Sequence, residues 1–333
     1  MTPIRPIQAG GAQAFLADLA RGLAARGHEV QLYCAEGSQV PGVELVTVAV
    51  PEEAAEAALV RPGGAPPPPV AALSDAFVVL FAELRRRGAD AVSQHAFDVE
   101  AIELAAGLNA VHTLHLPPIV PAVVAAVQAS LDPVVTVSVA ARRAWAAVGV
   151  GAGLIPDGVP DFDPGAPAVE RLALIAGRVS PEKGIPDGLQ AAELAGLRVR
   201  VVGSVYDRAY RERELPGLLI EPALPRPELW ALMASCAVTL APVKWEEPFG
   251  LVAAEAQVAG CPVVGYRRGA LPEVVEDGVS GFLVEPDDVQ ALAQAIRRAL
   301  ELDRREVRAS GRRRLLMGRV LDDYELWLRL SRS

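Results

Sequence analysis

Short apolar runs and helical repeats alternate along nearly the whole chain, in two successive series. In the first half the candidate strands are 28–34, 45–50, 89–94, 110–115, 133–139 and 153–156. In the second half they are 172–176, 199–203, 217–221, 238–242, 262–266 and 281–284. Apolar residues at helical spacing fall between them, at 12–26, 70–87, 183–194, 225–234, 248–259 and 287–302. Strands that alternate with helices bury a parallel sheet under helices on both faces. Two such series predict an α/β protein of two facing doubly wound, Rossmann-like domains. The 333 residues suffice for two cores. Residues 157–170 hold Pro160, Pro164, Gly165 and Pro167 and read as the linker. The first domain then spans 1–160 and the second 168–315, and a last helix at about 318–333 is expected to pack back on the first domain. The stretch 61–69 (RPGGAPPPP) reads as a surface loop of polyproline character.

Charge and composition exclude several classes. A net charge of −9 offers no basic field for nucleic acid. Cys34, Cys236 and Cys261 lack the spacing of a disulfide framework or zinc site and read as reduced packing residues. The most apolar window, 119–131, is interrupted by Pro121 and is too short to span a bilayer. The expectation is a cytoplasmic protein whose membrane contact is at most peripheral. Arg85, Arg86 and Arg87 end an apolar helix and complement its dipole, a membrane-surface contact being the alternative. Asp161-Phe162-Asp163 has the DxD form of metal-dependent transferases. It lies in the linker without a strand to aim it, so no metal and no bound cofactor are expected.

Three constellations carry chemistry. Glu247-Pro-Phe-Gly-Leu-Val-Ala-Ala-Glu255 sets two carboxylates either side of a predicted helix start, with Pro248 at the first helical position. Glu255 falls on the apolar stripe of that helix, where a carboxylate needs a partner. The N–H groups of Phe249, Gly250 and Leu251 are read as an anion-binding helix end. After the strand 172–176, Arg178 and Lys183 lie five residues apart, spaced to clamp two phosphoryl groups. Gly10-Gly11 opens the first helix, as suits close approach of a ligand to the backbone. Of the four histidines, His95 ends a strand and is a candidate for lining a cleft, His115 ends another strand, and His28 and His112 read as structural.

These residues, with Arg26-Gly27-His28-Glu29-Val30, Ile155-Pro-Asp-Gly-Val159, Pro181-Glu182-Lys183-Gly184, Gly260-Cys-Pro-Val-Val264, Glu273-Val-Val-Glu-Asp-Gly278 and Gly281-Phe-Leu-Val284, resemble family 4 retaining glycosyltransferases of the GT-B fold. The resemblance covers nearly the whole chain. It implies a donor nucleoside-diphosphate sugar, UDP-linked above all, on the second domain. Arg178 and Lys183 would contact the diphosphate, Glu255 the ribose hydroxyls, and Glu247 the transferred sugar with the N–H groups of Phe249, Gly250 and Leu251. Gly11, beside Gly10, would face the donor from the other domain, and His115 matches the family histidine at the reacting face. The implied reaction is metal-independent transfer with retention to a hydroxyl of a small-molecule, lipid or glycan acceptor. A sugar-nucleotide epimerase, a glycan phosphorylase and an inactive donor-binding module are the other readings. The Ala/Pro/Arg-rich composition suits a GC-rich bacterial genome. One departure stands out: 2–8, with two prolines, leaves little room for the strand the family carries before Gly10-Gly11.

Overall fold

A computed structural model describes residues 1–7, 10–51, 54 and 70–331, so the proline-rich stretch 61–69 lies outside the described residues. In chain order the elements of the first half are α1 (Gly11–Ala25), β1 (Gln31–Ala35), β2 (Glu44–Val48), α2 (Ala71–Arg87), β3 (Val92–Gln94), α3 (Val99–Glu103), β4 (Ala110–Leu114), α4 (Pro121–Ala129), β5 (Val134–Thr136), α5 (Val139–Ala147) and β6 (Gly153–Leu154). There follow β7 (Glu170–Ala176), α6 (Ile185–Leu194), β8 (Arg198–Val202), α7 (Arg208–Glu214), β9 (Ile220–Glu221), α8 (Arg226–Ser235), β10 (Cys236–Ala241), α9 (Leu251–Val258), β11 (Val263–Tyr266), α10 (Leu271–Val274), β12 (Gly281–Val284), α11 (Val289–Ala299), α12 (Arg304–Leu315) and α13 (Met317–Leu330). Among the described residues each strand overlaps one of the predicted runs, and every strand pairing is parallel. Two compact units result: 1–5, 12–156 and 317–333 form one, and 6–11 and 157–316 the other.

The second unit is a single six-stranded sheet of order β12-β11-β10-β7-β8-β9. Its order reverses direction beside β7, where the ends of β7 and β10 meet. In open α/β sheets this is where ligands gather. Its core is aliphatic, built on Ile175, Ile185, Val238, Leu240, Val264, Leu292 and Ile296. The thiols of Cys236 and Cys261 are buried, and burial pushes the Cys236 thiol up to about 12. Such thiols stay protonated and inert.

The first unit departs from the expected single sheet. It holds a four-stranded sheet, β3-β4-β5-β6, and a separate pair, β1-β2. Residues 1–5 form no strand. Pro3 and Pro6 have no N–H to donate to a ladder. Ile4 instead donates its N–H to Ser38 Oγ (3.0 Å) and accepts from the Gln39 N–H (2.7 Å). The Ile4 side chain is nonetheless buried with Ala17, Leu32, Cys34 and Val40. So the segment supplies core volume beside β1 without closing the sheet.

The C-terminal region is two helices, not one continuous helix. Leu316 is extended and bridges to Val159 of the linker, which donates its N–H to Leu315 (2.9 Å). That pairing interrupts the helical ladder and lets α13 join the first unit. There Tyr324 bonds Thr113 (3.0 Å), Arg26 pairs with Asp322 (2.7 Å) and His28 meets Glu325 (3.0 Å). Gly153 makes room for Trp327: a Cβ there would lie 2.3 Å from the indole. The linker itself is fastened to the second unit. Asp161 pairs with Arg312 (2.5 Å) and Asp163 with Arg308 (3.3 Å), while the Phe162 ring stacks on Trp230 at 3.9 Å. The DxD-like carboxylates are thus engaged by arginines of α12. The α2 arginines are similarly occupied: Arg85 caps the Leu104 carbonyl (2.7 Å), and Glu83 takes both Arg86 and Arg87.

Candidate donor-binding site

The structure gathers Arg178, Lys183 and Glu247 at the carboxyl end of β7. After Ala176 the chain turns through Gly177 and Arg178 into a single 3-10 turn, Pro181–Lys183. Gly184 then caps α6 in the left-handed region at φ 61°. A Cβ at Gly184 would sit 1.9 Å from the Pro242 carbonyl oxygen at the end of β10. Only glycine allows that approach, and the approach delivers Lys183 to the loop after β10. Lys183 Nζ donates to Glu247 Oε2 at 2.7 Å, and Trp245 Nε1 donates to the same oxygen at 2.9 Å. The Lys183 ammonium also lies 5.7 Å from the Trp245 ring centre. Burial raises the Glu247 carboxyl, but the charge and hydrogen bond of Lys183, the Trp245 indole and Arg178 outweigh it. Glu247 is therefore ionised throughout the neutral range, titrating below the ordinary glutamate value.

Arg178 is held by two neighbours. Its Nη2 is 3.3 Å from Glu182 Oε1, and its guanidinium lies over the Tyr206 ring at 5.1 Å. Glu182 is itself buried and accepts from Ser180 Oγ (2.7 Å). A planar cation fixed from two sides loses little freedom on meeting a phosphate.

The helix after Glu247 begins later than predicted, at Leu251 instead of Pro248. Gly250 is its N-cap in the left-handed region (φ 98°), which lets Glu246–Phe249 turn as a loop before it. The first helical bond is Ala254 N–H to Gly250. The orphan donors at this helix end are therefore those of Leu251, Val252 and Ala253, with Phe249 outside the helix. The Phe249 side chain is buried and serves packing. Glu255 stands on the buried face, as expected, and receives Arg226 from α8: Nε at 2.8 Å and Nη2 at 2.6 Å, both to Oε1. Arg226 lies over Trp230 at 4.9 Å.

Two contributors escaped the sequence reading. Arg226 opens α8 between two prolines, and nothing in its local pattern marks it as the partner of a residue 29 positions away. Gly269 packs against the backbone of Glu247, where a Cβ would lie 2.3 Å from both its N and O. Gly269 N–H donates to Glu246 Oε2 (2.8 Å), and Ala270 N–H to the Glu247 carbonyl (2.8 Å). The sole signal was a glycine after two arginines following a strand. Gly11 groups with the second unit, and a Cβ on it would stand 3.1 Å from Leu251 Cδ1 at the helix end. Gly10 beside it is half-buried.

His115 and His95 belong to the first unit. Each sits one residue beyond the end of a strand, β4 and β3, which pair directly. His112 is fully buried with Asp132 3.4 Å away, a structural role.

Six parallel strands with a cation pair at the reversal of strand order have the architecture of one half of a GT-B protein. Two family models match: Glycosyltransferase Family 4 over residues 9–161 and Glycosyl transferases group 1 over residues 161–314. The chain belongs to the family 4 glycosyltransferases. A D-inositol 3-phosphate glycosyltransferase of Thermobifida fusca is 38% identical over 157 residues, covering 41% of this chain and 36% of that one. The homologous enzyme of Nocardiopsis dassonvillei is 39% identical, over 38% of this chain and 35% of its own. The matched region thus spans about a third of the length of these curated relatives. Among solved structures, AviGT4, a glycosyltransferase of avilamycin A biosynthesis, superposes with a TM-score of 0.72 at 25% identity, covering 98% of this chain and 91% of its own. Anabaena HepE in complex with UDP-glucose gives 0.70 at 19% identity over 96% of each chain. Among the described residues no helix is long and apolar enough to cross a membrane.

Proposed function

We propose that this protein is a retaining glycosyltransferase that moves a sugar from a UDP-sugar to a hydroxyl acceptor without a metal ion. The carrying observation is the cluster of Lys183, Arg178 and Glu247 beside the open end of α9. A departing nucleoside diphosphate develops negative charge as the bond to the anomeric carbon breaks. Lys183, Arg178 and the N–H groups of Leu251–Ala253 supply fixed positive charge for it. Before donor arrives, Glu247 neutralises Lys183 and holds the ammonium in place. With donor bound, Lys183 turns to the phosphate and Glu247 accepts hydroxyls of the transferred sugar. Glu255, oriented by Arg226, accepts the ribose hydroxyls.

The bond from C1 to the diphosphate oxygen breaks, and its electron pair leaves with UDP. The acceptor oxygen bonds C1 on the face just vacated, and its proton passes to the departing phosphate oxygen. The sugar carries oxocarbenium character in between, and His115 supports it. Engagement of Asp161 and Asp163 by Arg312 and Arg308 supports a metal-free reading. The UDP-glucose complex of HepE supports UDP as the nucleotide. Incubation with a panel of UDP-sugars and assay of UDP release tests the proposal, with product anomeric configuration read by NMR. Retained configuration and EDTA-insensitive release are expected. Tight donor binding without release for any acceptor replaces the transferase with a donor-binding module.

A further inference from the structure

His95 and His115 are bonded to one another: His95 Nδ1 and His115 Nε2 are 2.9 Å apart. The far nitrogen of His95, Nε2, is 2.8 Å from Ser93 Oγ. The rings stack at 5.2 Å, with Phe15 against His115 at 5.5 Å and Tyr324 beside His95 at 5.8 Å. Both histidines sit just past the ends of paired parallel strands, so the sheet itself sets their spacing. Burial first, and His115 alongside it, push the His95 imidazole well below the ordinary histidine range, so it is neutral near pH 7.

We infer that His95 is a positioning residue, which ties the ring nitrogen of His115 that carries the proton to its own tautomer. A neutral imidazole has one N–H and one bare nitrogen. One proton lies in the contact between the rings. If His95 supplies it from Nδ1, then His95 Nε2 accepts from Ser93 and His115 carries its own proton on Nδ1. If His115 supplies it from Nε2, then His95 Nδ1 is bare and His95 Nε2–H donates to Ser93. The mixed arrangements leave two protons, or none, between facing nitrogens. The two tautomers are therefore tied together: both rings are Nδ1–H or both are Nε2–H. A base oriented by a second group, itself oriented by a third, is the logic of catalytic triads. Here it fixes whether His115 presents a donor or an acceptor through Nδ1.

The role of His115 in turnover rests on the transferase reading, whereas the tautomer link does not. The test is long-range ¹H–¹⁵N NMR of the full chain labelled at histidine, at about pH 8, above the ordinary imidazole value of about 6.5. Four histidines keep assignment by substitution simple. In the unsubstituted protein His95 and His115 show one fixed and identical tautomer. In His95→Ala, the tautomer balance of His115 shifts. His95→Asn, whose amide replaces Nδ1, keeps it fixed. In the UDP-release assay His95→Ala lowers kcat about tenfold, the size seen for orienting partners of metal-bound histidines, while the donor KM moves little. The Asn variant recovers most of the rate. Opposite tautomers in the unsubstituted protein, or an unchanged His115 signal in His95→Ala, overturn the inference. UDP release unaffected in that variant overturns its catalytic consequence. A fixed pair in a protein that releases no UDP from any donor retires the transferase reading and leaves the link standing.

Discussion

Replacing Lys183 by Met separates the two jobs assigned to that side chain. In the resting protein it pairs with Glu247 at 2.7 Å, the two side chains being 20% and 13% exposed. Breaking a fully buried pair costs about 3–5 kcal/mol, because a charge is stranded. Here the Trp245 indole still donates to Glu247 and some water reaches it, so about 1–3 kcal/mol is expected. At roughly 2–4 °C per kcal/mol for a domain of this size, the Tm falls by several degrees. The second job is the phosphate contact. A hydrogen bond to a charged group is worth about 1.5–3 kcal/mol, so the Kd for UDP rises roughly 10- to 150-fold. Adding Glu247→Gln removes the stranded charge while keeping an acceptor for Trp245. The double variant should regain most of the stability and none of the UDP affinity. Thermal denaturation and calorimetric titration of UDP on the four members of this cycle read both quantities. Unchanged UDP affinity in Lys183→Met, or affinity that returns together with stability in the double variant, would refute the diphosphate assignment.

Glu247 also predicts an acid limb. Its folded pKa lies below the unfolded one, so its stabilisation is complete above the ordinary value of about 4.5 and is lost as pH falls through the lowered folded value. Glu247→Gln should flatten the Tm–pH curve in that window alone; an unchanged slope there contradicts the pairing. Arg226→Met removes the guanidinium from the buried Glu255 and should cost about 1–3 kcal/mol together with UDP affinity; urea unfolding and the same titration check it. Gly184→Ala drives a methyl into the Pro242 carbonyl at a positive φ, and about 2–4 kcal/mol is expected; a Tm within a degree of the parent would show that the turn relaxes freely. Asp161→Asn removes only a half-exposed ion pair with Arg312, so stability should change by less than about 1 kcal/mol. UDP release should stay EDTA-insensitive, and a loss of turnover restored by Mg²⁺ would return the DxD-like segment to the reaction.

Strand positions were legible because a buried parallel strand must be a short apolar run. The longer ones, such as β4, β7, β10 and β11, are runs of Val, Ile, Leu and Ala with few polar residues, whereas β3, β6 and β9 are only two or three residues long. Short helices such as α3, α7 and α10 were not legible, since four to seven residues show too little periodicity. The start of α9 was misplaced because Pro248 is a good first helical residue, yet the left-handed Gly250 two positions later ends the loop instead. The candidate site was legible as residue types. Glu255 stands out because the apolar face of its helix makes a lone charge costly, which points to a ligand or a distant partner, and Arg178 and Lys183 because they follow directly on a buried strand.

What the sequence determined by itself was therefore the alternation that forces two parallel α/β units, and the charged residues that must find partners. What only the tertiary structure decided was which partners they find. Lys183 reaches Glu247, 64 residues on, because β7 and β10 are neighbours in the sheet. His95 takes His115 because β3 and β4 pair, and Arg226 takes Glu255 because α8 packs against α9. Spacing along a chain constrains contacts within one helix or strand. Contacts between elements depend on strand order and on close backbone approaches such as those at Gly184 and Gly269, which exist only once the sheet is assembled.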